Sequence, residues 1–402
     1  MPSILPDGDP VPSDGALPES AIDGLGTRPF GFYVHVPFCV TRCGYCDFNT
    51  YTAAELGPGA SRDSYAETVI AEIRMARRVL GDVDLPAETV FFGGGTPTLL
   101  PPGDLGRILG AIEAEFGLAG GVEVTTEANP ESVDEAYLGR LREAGFNRMS
   151  YGMQSAREHV LATLDRTHTP GRVPQVAEWT RAAGFEHVNL DLIYGTPGER
   201  DEDWLASLDA ALAVRPDHVS AYALIVEEGT RLAARVRRGE LAAPDDDAMA
   251  DRYAMADERL SAHGLSWYEI SNWAAGPAAR CRHNLLYWTG ADWWGAGPGA
   301  HSHVGGTRWW NVKHPAAYAA RLDERVTPAH AREVLGAEDR RIERIMLEVR
   351  LADGCPADLL DDAAVERLIA DGLLDRQAYD IGRACLTPRG RLLADAVVRD
   401  LT

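Results

Sequence analysis

No stretch of the chain approaches the roughly 20 consecutive apolar residues that a bilayer-spanning helix needs. No Lys/Arg-rich run occurs either, and 39 basic against 61 acidic side chains give a formal net charge of −22. Such a field repels phosphate backbones, which argues against nucleic acid as a general partner. The N-terminus offers neither a basic n-region nor an apolar core, so no secretory signal is read there. Only six cysteines occur in 402 residues, too few and too unevenly placed for a secreted disulfide framework. These absences predict a cytoplasmic protein, with peripheral association to a membrane complex left open.

What is present is a rhythm. From residue 30 to about 225, short β-branched runs (31–38, 88–94, 122–129, 147–154, 187–195, 218–224) alternate with amphipathic stretches such as 61–80, 104–116 and 132–144. Six β-α units in succession imply a parallel sheet, because parallel neighbours need helical crossovers. Beyond 225 the rhythm breaks. Residues 244–264 read as a helix with an acidic start, suited to the positive end of its dipole. Residues 267–310 then hold seven of the nine tryptophans and three of the eleven histidines. After about 332 come two helical patterns and, over 373–393, a segment that reads as a hairpin. The predicted organisation is a disordered N-terminal tail (1–27), a β/α core (28–240), a connecting region (241–330) and a winged-helix-like C-terminal domain (331–402). With 11 basic and 15 acidic residues, this last domain is read as a packing or partner-contact module, not a DNA-binding one.

Chemistry concentrates in "HVPFCVTRCGYCDFNT", where Cys39, Cys43 and Cys46 follow a C-x3-C-x2-C spacing. Three thiolates on a loop after a strand can grip one soft metal centre. Buried packing cysteines are one alternative, and zinc with His35 as a fourth ligand is another, although structural zinc usually draws on separated pairs. A third is a four-iron cluster held by three cysteines, one iron being left open for a small molecule.

This spacing, on the loop after the first strand of a six-unit β/α domain, resembles the radical S-adenosylmethionine family. The resemblance implies a partial (β/α)6 TIM-like barrel with a [4Fe-4S] cluster on Cys39, Cys43 and Cys46. It also implies S-adenosyl-L-methionine chelated to the open iron and cleaved to a 5′-deoxyadenosyl radical. An aromatic residue before the third cysteine is typical, and here it is Tyr45. "FFGGGTPT" follows the second strand; by resemblance Gly94, Gly95 and Thr96 contact the methionyl group. Glu127 ends the third strand in "TTEANP". Tyr33, Gly94, Glu127, Gln154, Arg166 and Asp191 match the oxygen-independent coproporphyrinogen III dehydrogenase branch, where the Gln, Arg and Asp touch a second S-adenosylmethionine.

Within that branch two features discriminate. The dehydrogenase motif continues to a further cysteine, at the position of Phe48 here. A heme-chaperone group instead has Phe there and carries H-N-x-x-Y-W. "CRHNLLYWTG" supplies His283, Asn284, Tyr287 and Trp288. An imidazole is a reasonable axial ligand for heme iron, and aromatic faces suit a porphyrin. Cys281, His301 and His303 compete for the ligand role, and without C-x-x-C-H no covalent c-type attachment is expected. "GAGPGAHS" (295–302) reads as an ordinary loop or a backbone wall of the cofactor site, and Cys355 and Cys385 as packing cysteines. The resemblance therefore implies a heme chaperone delivering heme to hemoprotein acceptors such as respiratory enzymes, with a homodimer compatible. The alternatives are the dehydrogenase itself or another radical reaction such as methyl transfer. Radical chemistry would also require an electron donor such as flavodoxin or ferredoxin.

Overall fold

The structure is a computed structural model, described over residues 7–57, 59, 61–166, 168–169 and 171–402. Twelve strands form one sheet: β1 (Phe30–Val36), β2 (Ala87–Gly94), β3 (Leu118–Ala128), β4 (Arg148–Gln154), β5 (His187–Tyr194), β6 (His218–Ala223), β7 (Ser266–Glu269), β8 (Asn272–Ala274), β9 (Asp292–Ala296), β10 (His301–Val304), β11 (Thr307–Asn311) and β12 (Ala329–Val334). Their order is β12-β11-β10-β9-β1-β2-β3-β4-β5-β6-β8-β7. Strands β1 to β6 are parallel neighbours in sequence order, which is the partial (β/α)6 barrel. A seventh parallel strand, β9, adds to the free side of β1. It comes from the tryptophan-rich region, where two adjacent aromatics obscure the alternation that marks a strand. Antiparallel strands extend both edges.

Strand β1 shows why the sheet forms where it does. Phe30, Phe32, Val34 and Val36 are buried on one face, and Phe32 meets Phe116 of the helix Pro102–Phe116 edge-on at 4.9 Å. Tyr33 and His35 face the other way, into the barrel, as a period of two requires. The covering helices start on designed caps. Ser61 accepts the Ser64 N–H ahead of Arg62–Leu80, and Asp134 accepts the Tyr137 N–H ahead of Glu135–Glu143. Gly145 takes φ +106° just beyond the latter helix, relieving the chain of a Cβ in a left-handed conformation.

Two expectations need correcting. Residues 7–27, expected to be disordered, pack onto the β10–β12 side. Asp9 and Arg332 exchange backbone hydrogen bonds at 2.8 and 3.0 Å, Thr327 donates to the Ser13 carbonyl, and Ala21 is fully buried. The prolines prevent regular structure there but do not prevent burial. Residues 1–6 lie outside the described residues. The second correction concerns the hairpin over 373–393. Asp375 caps a short helix, Arg376–Asp380, and the strand content shrinks to a Leu374–Leu386 bridge and a Cys355–Pro356/Arg383–Ala384 pair. The C-terminal module nevertheless has its own core of Ile345, Val349, Val365, Leu368, Leu374 and Val397. Its elements run helix–strand–helix–helix–strand and end in two further helices, Pro388–Leu392 and Ala394–Leu401.

Candidate functional site

The three cysteines sit on the loop that leaves the C-terminal end of β1. Reciprocal backbone bonds, Tyr51 N–H to Pro37 at 2.7 Å and Cys39 N–H to Tyr51 at 3.0 Å, close the base of the loop. Cys46 N–H donates to Cys43, folding the C-x2-C segment into a turn, while Gly44 is held by Leu164 and Leu232. Tyr45 packs beside the small apolar cluster of Val160, Leu164, Ile193, Leu224 and Leu232. All three cysteines are free and partly exposed. Burial, and then the charges of Cys46 and Cys43, push the Cys39 thiol up to about 11. Crowded thiols of this kind ionise together only against a cationic centre, so the donor set fits a bound cluster. Zinc with His35 fits poorly. His35 is buried, with Nδ1 bonded to the Tyr33 hydroxyl at 3.0 Å and Nε2 to the Asn49 carbonyl at 2.9 Å. Among the described residues no three His, Cys, Asp or Glu side chains converge as a single ion requires.

The glycine-rich turn after β2 is tied to this loop. Gly95 N–H donates to Val36 and Thr96 N–H to Phe38, beside Cys39. A Cβ on Gly95 would stand 2.5 Å from the Phe38 carbonyl oxygen, and one on Gly94 2.6 Å from the His35 ring. Only glycine permits that approach. Gly94 N–H donates to Glu127 Oε2 at 3.1 Å. Burial and then the charge of Asp191 raise the Glu127 carboxyl to about 8, against the pull of the Gly94 N–H. Asp191 accepts from Ser150 and Asn189, each at 2.8 Å, and burial raises its pKa while those bonds oppose the rise. Gln154 stands at φ +63°, a conformation that costs a non-glycine residue about 1–3 kcal/mol. Arg166 bonds the Gly152 carbonyl at 2.6 Å and reaches Cys43 Sγ at 3.7 Å. Tyr33, Tyr45, Gly94–Thr96, Glu127, Gln154, Arg166 and Asp191 thus line one end of the barrel around the cysteine loop. Two buried acids there suit a cationic sulfonium or ammonium.

The second constellation is split. The H-N-x-x-Y-W segment is a short helix, Arg282–Trp288, whose His283 ring stacks on Tyr33 at 6.3 Å. Its first turn is capped by Glu123, whose oxygens accept the Arg282 and His283 N–H groups at 3.1 and 3.0 Å. Arg148 stands 3.6 Å from Glu123, both side chains being buried. His283 is 1% exposed. Its Nδ1 meets Thr89 Oγ1 at 2.7 Å, its Nε2 meets the Tyr287 hydroxyl at 2.8 Å, and its ring stacks on Phe91 at 5.1 Å. Burial lowers its pKa to about 3. Both ring nitrogens are engaged in this conformation, so iron ligation by His283 would require one of those bonds to break. Cys281 is likewise buried, its thiol raised by burial and by Glu123. Asn284, Tyr287 and Trp288 differ: with Glu269, Asn272 and Leu347 they line an open cavity of about 300 Å³. His301 stacks on Trp310 at 5.9 Å, and His303 bonds the Ala291 carbonyl.

Sequence reasoning missed three structural groups. Glu72 is fully buried and accepts from Gly297, Asn311, Trp294 and Tyr318. A charge on the apolar face of a helix, between Val69 and Ile73, was the available signal. Asn49 donates to the Pro298 and Lys313 carbonyls, each at 2.9 Å, so the "GAGPGAHS" loop backs the cysteine loop. The Glu123–Arg148 pair was the third, each a charge inside an apolar strand.

Comparison with known proteins identifies the family. Residues 33–211 match the Radical SAM superfamily. The chain is 56% identical to heme chaperone HemW of Mycobacterium tuberculosis (strain ATCC 25618 / H37Rv) over 93% of this chain and 95% of the relative. It is 33% identical to heme chaperone HemW of Bacillus subtilis (strain 168) over 91% and 97%. In fold it is similar to coproporphyrinogen III oxidase HemN of Escherichia coli, a radical SAM enzyme, with a TM-score of 0.79 at 21% identity, covering 96% of this chain and 94% of that one. With that identity spread over nearly the whole length of both chains, the protein belongs to the HemW family of the radical SAM superfamily.

Proposed function

We propose that this protein binds heme and hands it to hemoprotein acceptors, respiratory enzymes among them, in the cytoplasm. Cys39, Cys43 and Cys46 would hold a [4Fe-4S] cluster, and the rim formed by Gly94, Gly95, Thr96, Glu127, Gln154, Arg166 and Asp191 would hold one or two S-adenosylmethionine molecules. When bound, that pair supplies one-electron chemistry, for which a flavodoxin- or ferredoxin-like donor would be needed. The residues themselves do simpler work. Gly94 and Gly95 open backbone to a ligand, Glu127 and Asp191 offer negative charge to a cation, and Tyr45 seals the loop against the apolar cluster. Asn284, Tyr287 and Trp288 would receive heme at the cavity. The carrying observation is the 56% identity to a heme chaperone over almost the full chain, together with Phe48, half exposed, where the dehydrogenase pattern has cysteine.

The test is a heme titration of anaerobically reconstituted protein, followed by Soret absorbance and by transfer to an apo-hemoprotein. Stoichiometric binding with transfer is the expected result. Failure to bind, or decarboxylation of coproporphyrinogen III by the same preparation, would overturn it.

A further inference from the structure

The cavity beside the H-N-x-x-Y-W helix is shaped and charged asymmetrically. Its walls come from four parts of the chain: β6 supplies Tyr222, the turn between β7 and β8 supplies Ile270, the motif helix supplies Tyr287 and Trp288, and Leu347 comes from the C-terminal module's helix Ala337–Glu348. The lining is mostly apolar and includes no Arg, Lys or His. The ionisable carboxyl in it is Glu269, only 2% exposed. Burial lifts the Glu269 pKa to about 7, against opposing hydrogen bonds from Ser271 and Trp288. Asn272 is 1% exposed, and its Oδ1 has no hydrogen-bond partner among the described residues. An orphaned buried acceptor is unusual, and a carbonyl oxygen offers no proton to an anionic group placed beside it. At about 300 Å³ the cavity lies at the lower end of the range for small-molecule sites, roughly 300–1,000 Å³.

Heme has two chemically different edges. One carries two propionates, the other two vinyl groups and flanking methyls. An anionic edge placed here would meet the Glu269 carboxyl and an unpaired carbonyl oxygen, with no Arg, Lys or His in the lining to balance its charge. An apolar edge would instead bury its surface against Ile270, Tyr287, Trp288 and Leu347. Resting on the heme-binding reading above, we propose that this cavity takes the vinyl edge of heme, with both propionates left in solvent. A site of this size holds one edge and leaves the rest of the macrocycle outside, where an acceptor protein can take hold of it. The C-terminal module then contributes a wall of the binding site through Leu347.

The experiment compares three macrocycles on the reconstituted full-length protein: heme, deuteroheme (hydrogen in place of both vinyls) and heme dimethyl ester (both propionates neutralised). The expected result is deuteroheme at least tenfold weaker than heme, with the dimethyl ester within threefold of it. Leu347→Ala should shrink the heme-to-deuteroheme ratio while leaving cluster absorbance unchanged. Equal affinity for heme and deuteroheme, or a dimethyl ester more than tenfold weaker, would overturn the proposed orientation and leave heme binding standing. A vinyl preference that Leu347→Ala leaves intact would move the site away from this cavity. No binding of any of the three would instead sink the heme reading itself.

Discussion

Glu72 accepts the backbone N–H of Gly297 at 2.8 Å, and through that bond a helix of the outer layer holds the loop that backs the cysteines. Gly297 stands at φ +113°, where a Cβ would come within 2.5 Å of the His35 carbonyl oxygen. His35 in turn bonds Asn49, three residues beyond Cys46. The chain of contacts is continuous from an outer helix to the cysteine loop.

Glu72→Ala would strand the Trp294, Gly297 and Tyr318 donors, while Asn311 keeps its bond to the Gly297 carbonyl. Each orphaned group costs about 1–3 kcal/mol, so a loss on the order of 4 kcal/mol is expected in urea unfolding. Iron incorporation during reconstitution should fall with it.

Glu72 also sets a pH dependence. Burial raises its carboxyl from 4.5 to about 7, against hydrogen bonds from Tyr318 and Gly297, so the folded protein holds that proton more tightly than the unfolded chain. Its contribution to stability is full below pH 4.5 and is lost as pH rises through 7. Subtracting the stability of Glu72→Gln from that of wild type should give a difference that declines by about 3 kcal/mol between pH 4.5 and 8. A flat difference would show that the carboxyl is ionised throughout.

Cys43→Ala should abolish bound iron and sulfide on reconstitution, whereas Cys355→Ala, in the C-terminal core, should leave both unchanged at a stability cost of about 1–2 kcal/mol. Elemental analysis of the two variants separates a cluster ligand from a packing cysteine.

His283→Ala removes a buried ring bonded at both nitrogens, and should lower stability by about 2–4 kcal/mol. If His283 only braces the motif helix, heme bound to the variant keeps its wild-type Soret spectrum, even where affinity falls. A changed spectrum at unchanged stability would restore it as the iron ligand.

Arg148→Met leaves Glu123 as a buried charge without its ion-pair partner, which should cost about 3–5 kcal/mol. The double variant with Glu123→Gln should lose less than the sum of the two singles, measurable as a coupling energy in a thermodynamic cycle.

Much of this was legible beforehand. The six parallel strands announce themselves by β-branched runs, the cysteine spacing, Gly94–Thr96 and Glu127 fall at strand ends where a ligand would lie, and Asp191 stands out as a charge inside an apolar strand. What was illegible depends on partners far away in sequence. Nothing near His283 reveals that Thr89 and Tyr287 occupy its ring nitrogens. Strand β9 hides because Trp293 and Trp294 suit a loop or a strand equally until β1 is seen beside them. Residues 7–27 look disordered because proline content reports local conformation and is blind to a bond between Asp9 and Arg332. Glu72 was readable in principle, as a charge on an apolar helical face, but its four partners were not.

Arg28, just before β1, and Asp292, at the start of β9, form an ion pair across a sequence separation of 264 residues. At a synthesis rate of roughly 5–20 residues per second, β1 leaves the ribosome tens of seconds before the strand that completes its side of the sheet. During that interval one long apolar edge has no neighbour, and an open edge is where strands of different chains join. Nascent chains of this protein should therefore depend on ribosome-associated protection more than their finished stability suggests, and fragments ending before residue 292 should aggregate.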